Sequence, residues 1–347
     1  MKRLHIGVLF LILSVGCVDE IDFPVREASE LMNIAGQFTD SLEEQEIIVL
    51  KAAPVRQGGP IFGQPVVGAT VYVESESGEI FPFTEEIDGF YRTIAKGEPG
   101  QSYRAVVKTP DGLMYQSTYQ QIPTIESDFD VTPQKYATRE LTSDNAITDG
   151  LKVGLFLSAN LESQGEKTNN LYRVVGEYDF WEWEGAMDLN PRHCYPKEYP
   201  DYGQVTLFSG IDEPGAKIDH ELFFSTKPDH RFSFNYCFHV IQHTINRESF
   251  LYWDKVAKLA NQDIGLFDPP LGKVRGNMRN AEDLSEEVLG NFTVSAVKEK
   301  RFFANSLTLE IEVFPLCLDP TRTELHDYCR NCLKIANSTL VKPDYFP

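Results

Sequence analysis

Short runs of alternating apolar and polar residues, separated by glycine-bearing turns, fill the chain from about residue 31 to 125. Residues 45–51 are β-branched and apolar, carrying Ile47, Ile48, Val49 and Leu50. Residues 67–73 set Val67, Ala69, Val71 and Val73 on one face and Gly68, Thr70 and Tyr72 on the other. Ser75-Glu76-Ser77-Gly78, Asp88-Gly89, Pro99-Gly100 and Asp111-Gly112 punctuate further runs at 79–83, 90–94, 102–108 and 113–119. Strands at this spacing with such turns predict an antiparallel β-sandwich.

Residues 122–133, with Pro123 and Pro133, read as an extended connector, and the pattern changes after it. Residues 150–159 and 171–183 are long strand candidates. Residues 231–245 alternate most cleanly, with Phe232, Phe234, Tyr236, Phe238 and Val240 on one face. Ser233, Asn235, Cys237, His239 and His243 fall on the other, which predicts a half-buried strand. Asn246 can cap a helix near 247–262, whose stripe of Phe250, Trp253, Val256, Ala257 and Ala260 opposes Asp254, Lys255 and Lys258. Residues 289–297 and 307–313 predict two more strands. The expected organisation is a β-sandwich over 31–125 and a second β-rich, α+β domain over 126–347 with one amphipathic helix and a cysteine-containing tail.

The first 16 residues change the picture. Lys2 and Arg3 precede a compact apolar stretch from Ile6 to Val15, too short to span a membrane, that ends in Gly16-Cys17. This order resembles a bacterial lipoprotein signal, with Ser14 standing where leucine is usual. The resemblance implies cleavage before Cys17 and acylation of its thiol and amine, and several acyl chains together anchor firmly. Residues 17–30 then form an acidic tether, and Val18-Asp19-Glu20 resembles the surface-export signal of Bacteroidota lipoproteins. The whole chain has 347 residues and a formal charge of −20, which disfavours nucleic acid and anionic headgroups as partners.

An ordered set of motifs carries a wider resemblance. It runs through Val67-Gly68-Ala69-Thr70-Val71-Tyr72-Val73, Asp88-Gly89-Phe90-Tyr91 and Thr109-Pro110-Asp111-Gly112. It continues with Gly265-Leu266-Phe267-Asp268-Pro269-Pro270, Arg275-Gly276-Asn277 and Val288-Leu289-Gly290-Asn291-Phe292, and ends with Cys329-Arg330-Asn331-Cys332 and Lys342-Pro343-Asp344-Tyr345-Phe346. The set closely resembles the Bacteroidota outer-membrane lipoprotein family catalogued as domain of unknown function 4249. The family often has tyrosine where Asn291 stands here. The resemblance implies a mainly β protein whose first domain is similar to immunoglobulin-like and transthyretin-like sandwiches. It also implies frequent encoding beside TonB-dependent receptors, and no established activity.

Chemistry-bearing residues are few. With Cys17 committed to lipid, Cys237 sits mid-strand among aromatics and is expected to be a free, buried thiol. Cys194, Cys317, Cys329 and Cys332 are then disulfide candidates with three possible connectivities. Cys329-x-x-Cys332 invites zinc or redox readings, but it lies in the tail rather than at the start of a βαβ unit, and only Cys317 and His326 are near to complete a metal set. His239 and His243 share a strand face two pleats apart, too far for joint chelation without a third ligand. Trp181 and Trp183, with Tyr195, Tyr199 and Tyr202 following in a proline-rich stretch, are either core aromatics or a platform for a sugar ring or partner protein. Gly-x-Ser-x-Gly, His-Glu-x-x-His, Walker and dinucleotide motifs are absent from the sequence. The expectation is a non-enzymatic, surface-exposed lipoprotein without metal or cofactor, serving a TonB-dependent transporter or envelope complex. A structural or adhesive envelope protein is the alternative, and a glycan-active enzyme the third.

Overall fold

The structure is a computed structural model that describes residues 31–52, 63–141, 147–183, 191–199, 205–260, 274–320 and 324–347. Cys17, Val18, Asp19, Glu20 and Tyr202 therefore lie outside the described residues, as does the 265–270 motif. The chain is mainly β, with one α-helix among the described residues.

Strands β1 (Leu31–Thr39) and β2 (Gln45–Ala52) form an antiparallel hairpin. Its turn is held by buried Gln45, whose amide donates to Thr39 Oγ1 at 2.9 Å and to the Ser41 carbonyl at 3.0 Å. Strands β3 (Thr70–Ser75), β4 (Ile80–Ile87), β5 (Phe90–Thr93), β6 (Ser102–Lys108) and β7 (Met114–Ser117) follow, close to the runs read from alternation. Residues 80–83 of β4 pair with β3 and residues 84–87 reach β5. One strand thus passes between two sheets and folds them around a core of Phe38, Ile47, Val73, Tyr91, Tyr103 and Tyr115.

The second half packs two sheets face to face. Strands β8 (Asp128–Leu141) and β9 (Ile147–Asn160) form a long antiparallel pair. Strands β10 (Asn169–Tyr178), β11 (Phe180–Glu182), β12 (Arg192–Glu198) and β13 (Thr206–Ser209) belong to the larger sheet. Strand β14 (Lys217–Thr226) completes the smaller one beside β9. Strand β15 (Tyr236–Ile245) pairs with β10 along its whole length, and helix α1 (Arg247–Ala260) follows at once. Asn246 caps α1 as expected, accepting from the Ser249 amide at 2.8 Å. Val153, Leu155 and Leu157 of the small sheet meet Tyr172, Phe238 and Val240 of the large one in a shared core.

Strands β16 (Met278–Asn280) and β17 (Phe292–Ala304) knit the halves together. Strand β16 pairs with β7, and β17 runs parallel to β1 at its start and antiparallel to β15 beyond Ser295. The first core accordingly takes in Met278, Val288, Phe292 and Val294, so its packing extends past the boundary placed at residue 125. A last short strand, β18 (Ser338–Thr339), pairs with β12.

Four expectations need correction. The strand expected from residue 231 starts at Tyr236, because Asp229 caps a 3-10 turn over His230–Phe232 by accepting from the Arg231 amide at 3.1 Å. Residues 306–310 turn and 311–313 belong to no strand, where a strand over 307–313 is expected. Asn305 Oδ1 accepts from the Leu307 and Thr308 amides, giving the backbone a local partner in place of a ladder. The connector already belongs to β8 from Asp128 onward, and Pro133 is tolerated because β8 lies at the edge of its sheet. Strand β15 is buried on both faces rather than one, since α1 and the C-terminal tail cover its polar side.

Candidate functional site

The glycine and asparagine motifs behind the resemblance form a joint. Asn277 brackets Phe292, donating to its carbonyl and accepting from its amide, both at 2.8 Å. Gly290 has φ +94°, and a Cβ there would lie 2.0 Å from the Ile34 carbonyl oxygen, so only glycine fits between the strands. Gly276 is equally confined, 2.0 Å from the Gly290 carbonyl by the same measure. Asn291 is buried and donates to Thr293 Oγ1 at 2.8 Å. These residues close β1 against β17; their role is packing.

The richer chemistry lies on the polar face of β15, beneath the C-terminal tail. His239 Nδ1 sits 2.8 Å from Glu299 Oε1, and Nε2 sits 3.1 Å from Glu177 Oε2. With a carboxylate oxygen at each nitrogen, both carry hydrogens and the ring is an imidazolium. Burial opposes that charge, but hydrogen bonds with Cys237, Glu177 and Glu299 outweigh it and push the His239 pKa up to about 11. The His239 contact holds Glu299 below its ordinary range against the effect of burial, helped by Arg301, whose Nη2 lies 3.0 Å away. Tyr345 donates to Glu177 and stacks under the Arg301 guanidinium at 4.2 Å. Two carboxylates and two cations balance, which is what permits Glu177 to be wholly buried.

Four residues further along the strand, His243 behaves oppositely. Burial, together with the charge of Arg173, lowers its pKa to about 3, so the ring is neutral and its Nδ1 pairs with Ser295 Oγ at 3.0 Å. The two histidines do not converge. Among the described residues no three His, Cys, Asp or Glu side chains are arranged to hold a metal ion.

Two disulfides fix the tail. Cys194 pairs with Cys332, and Cys317 with Cys329. The Cys-x-x-Cys pair is thus split between different partners, and Cys332 ties the tail to β12. Cys237 is the free, buried thiol among the described residues.

The aromatic candidates separate. Trp181 stacks on Phe234 at 4.0 Å, leans on His193 at 4.6 Å and meets Trp183 at 6.1 Å; both tryptophans are half-buried. His193 is oriented by Asp179 at 3.0 Å. Tyr199 is 63% exposed. Tyr195, a candidate for either the core or that surface, is 5% exposed, because Phe346 packs edge-on against it at 5.3 Å. Glu177, Glu299 and Arg301 escaped sequence reasoning, and Tyr345 and Phe346 entered it only as part of the tail motif. One signal was available: Glu177 is the only acid in β10 and directly follows Val174, Val175 and Gly176.

The fold and this face define a class: a two-core β scaffold whose disulfide-tied tail seals a balanced ionic cluster. No helix among the described residues is long and apolar enough to cross a membrane. Residues 18–301 match the family model described as a domain of unknown function (DUF4249), and the chain belongs to that family. No curated protein matches it.

Proposed function

We propose that this protein is a lipid-anchored, outward-facing outer-membrane component that works by binding, as an accessory of a TonB-dependent transporter or another envelope complex. The observation that carries the reading is the pair of disulfides. Such bonds persist in oxidising compartments outside the cytoplasm, which agrees with the lipoprotein signal ending at Cys17. The resemblance to Bacteroidota lipoproteins supplies the transporter as the expected partner. The half-buried Trp181–Trp183 stack and exposed Tyr199 provide aromatic contact area on the second half.

A glycan-active enzyme needs carboxylates across a cleft beside those tryptophans. Glu182, in that strand, is instead engaged by Arg192 at 2.6 Å. The depression walled by Asp128, Asp130, Ser158, Lys217 and Lys300 lies on the other sheet. There Lys298 and Lys300 neutralise Asp128, holding its pKa down to about 2.

Affinity purification from membranes in mild detergent tests the proposal. A β-barrel receptor recovered in comparable amount supports it, and repeated recovery of the lipoprotein alone counts against it. Deletion separates transport from adhesion, through growth loss on one nutrient in the first case and altered surface attachment in the second.

A further inference from the structure

The small sheet turns one face to the core and the other to solvent. Leu155, Leu157 and Ala159 of β9 point inward, so Gly154, Phe156, Ser158 and Asn160 lie on the outer face. The register sets Asp128 and Asp130 of β8 beside Asn160 and Ser158, and Lys217 of β14 on the other side of Asn160. A sheet face open to water ordinarily carries polar side chains. This one also carries a cluster of rings.

Phe156 stacks on His220, with ring centroids 4.6 Å apart and planes 11° apart, and Tyr136 meets Phe156 edge-on at 6.1 Å. His220 is exposed; Phe156 and Tyr136 are half-buried. Local backbone puts the imidazole there. Ala159 pairs with Ile218 and Leu157 with Glu221, so β14 holds one residue more than β9 over this step. A bulge of this kind re-aims a side chain. His220 lies in it at φ +51°, a left-handed conformation uncommon outside glycine, and its amide donates to Ser158 Oγ at 3.2 Å. Further along, a Cβ on Gly154 would lie 2.6 Å from Leu222 Cδ1 and 2.9 Å from Tyr136 Cε1. Those two side chains therefore fold over the glycine and extend the apolar strip.

Beside the rings is an open depression of about 520 Å³, within the size range of small-molecule sites. It is lined by Ser158 and Asn160 of the middle strand, Asp128 and Asp130 of β8, Lys217 of β14 and Lys300 of β17. Two carboxylates and two ammonium groups give the lining a formal charge of zero. Lys298 and Lys300 engage Asp128 at 2.9 and 3.0 Å, while Asp130 and Lys217 have no ion pair among the described residues. Ser158 joins the two parts: it lines the depression, follows Phe156 on the outer face of β9 and bonds the His220 amide.

The combination selects among ligands. An anionic or cationic ligand gains nothing from a lining whose charges cancel. A lipid chain needs a longer apolar groove than one closed off by Asp130 and Lys217. A neutral sugar presents an apolar C–H face and a rim of hydroxyls that both donate and accept, which suits rings next to mixed carboxylate, amide, hydroxyl and ammonium groups. We propose that the outer face of the small sheet binds a neutral oligosaccharide, one ring resting against Phe156 and His220 and a neighbouring unit reaching Ser158, Asn160, Asp130 and Lys217. This names a ligand for the binding role proposed above and rests on that role, but requires neither the transporter nor the lipid anchor. Trp181 and Trp183 belong to the other sheet and take no part.

The mature, disulfide-intact protein is applied to an array of neutral, uronate-bearing and sialylated oligosaccharides, and a retained neutral one is then titrated calorimetrically. Neutral members should be retained in preference to the acidic ones. Phe156→Leu, which stays apolar but loses the ring, should weaken binding about tenfold or more. His220→Gly, which suits the left-handed backbone, should do the same. The double variant Asp130→Ala/Lys217→Ala changes only exposed side chains, so it keeps the fold should a ring variant lose it, and it too should bind about tenfold more weakly. Far-ultraviolet circular dichroism and the urea midpoint confirm folding in each case. Retention of no neutral oligosaccharide overturns the proposal, as does preference for the acidic ones. An affinity that survives both ring variants, or that falls with Trp183→Ala and not with Phe156→Leu, also overturns it. The array holds no transporter, so failure here leaves recovery of a receptor from membranes unaffected, and failure of that recovery leaves sugar retention standing.

Discussion

Acidification should destabilise this protein through one histidine. His243 is 7% exposed and has its pKa lowered from 6.5 to about 3 by burial and by the neighbouring Arg173. In the unfolded chain it takes up a proton near pH 6.5. The folded pKa is the depressed one, so the stabilisation is complete above pH 6.5 and is lost as pH falls toward 3. Each pH unit in that window removes about 1.4 kcal/mol, which amounts to roughly 2 kcal/mol between pH 6.5 and 5 and about 5 kcal/mol over the whole interval. Urea unfolding of the disulfide-intact protein at pH 7, 6 and 5 measures this against His243→Gln. Glutamine keeps a polar partner for Ser295 and carries no titration. The variant should be weaker at pH 7, and the gap should close by about 2 kcal/mol at pH 5. Two curves that stay parallel within about 0.5 kcal/mol across the range would refute the assignment of a buried, neutral His243.

His239 should show the opposite dependence. Its folded pKa is raised to about 11, so its contribution is complete below pH 6.5 and declines as pH rises toward 11. His239→Gln leaves Glu177 and Glu299 without their shared cation and should cost about 3–5 kcal/mol near neutrality, with the deficit shrinking in alkaline buffer. The Cys194–Cys332 bond spans 138 residues and the Cys317–Cys329 bond 12. Chain entropy then assigns about 5 kcal/mol to the first and about 3 kcal/mol to the second. Paired serine substitutions compared by thermal unfolding should keep that order, and a reversed order contradicts the tail's role as a long-range tie. Gly176→Ala puts a Cβ 1.9 Å from Tyr236 Oη, which hydrogen-bonds Glu198 at 3.1 Å. A loss of about 3 kcal/mol is expected; because Tyr236 Cζ also lies 2.7 Å from that position, the Gly176→Ala/Tyr236→Phe double variant should recover only a part of it, as a double-mutant cycle would show.

Local pattern carried much of the fold. Alternation from Tyr236 to Val240 located β15 and its core face, because a period of two leaves one geometry for Tyr236, Phe238 and Val240. Asn246 marked the start of α1 for an equally local reason, the unpaired amides of a first helical turn. The polar side of β15 was not legible. What buries Cys237 and His239 arrives from Tyr345 and Phe346, about a hundred residues later, and a strand's own residues cannot announce a cover supplied from so far away. Similarly, Tyr195 reads as either a core or a surface aromatic until Phe346 packs on it. The free thiol was readable from its place among strand aromatics, whereas the pairing of the other four cysteines required the tail's path. The Asn291 motif was visible as a resemblance only. Its meaning depends on Ile34 approaching Gly290 too closely for any side chain.

Anchorage at Cys17 underlies the whole functional account, and intact-mass and N-terminal peptide spectrometry of protein extracted from native membranes addresses it directly. The account predicts a mature chain that begins at Cys17 and carries acyl chains on its thiol and amine. A soluble chain with an unmodified Cys17, or one cleaved elsewhere, contradicts it.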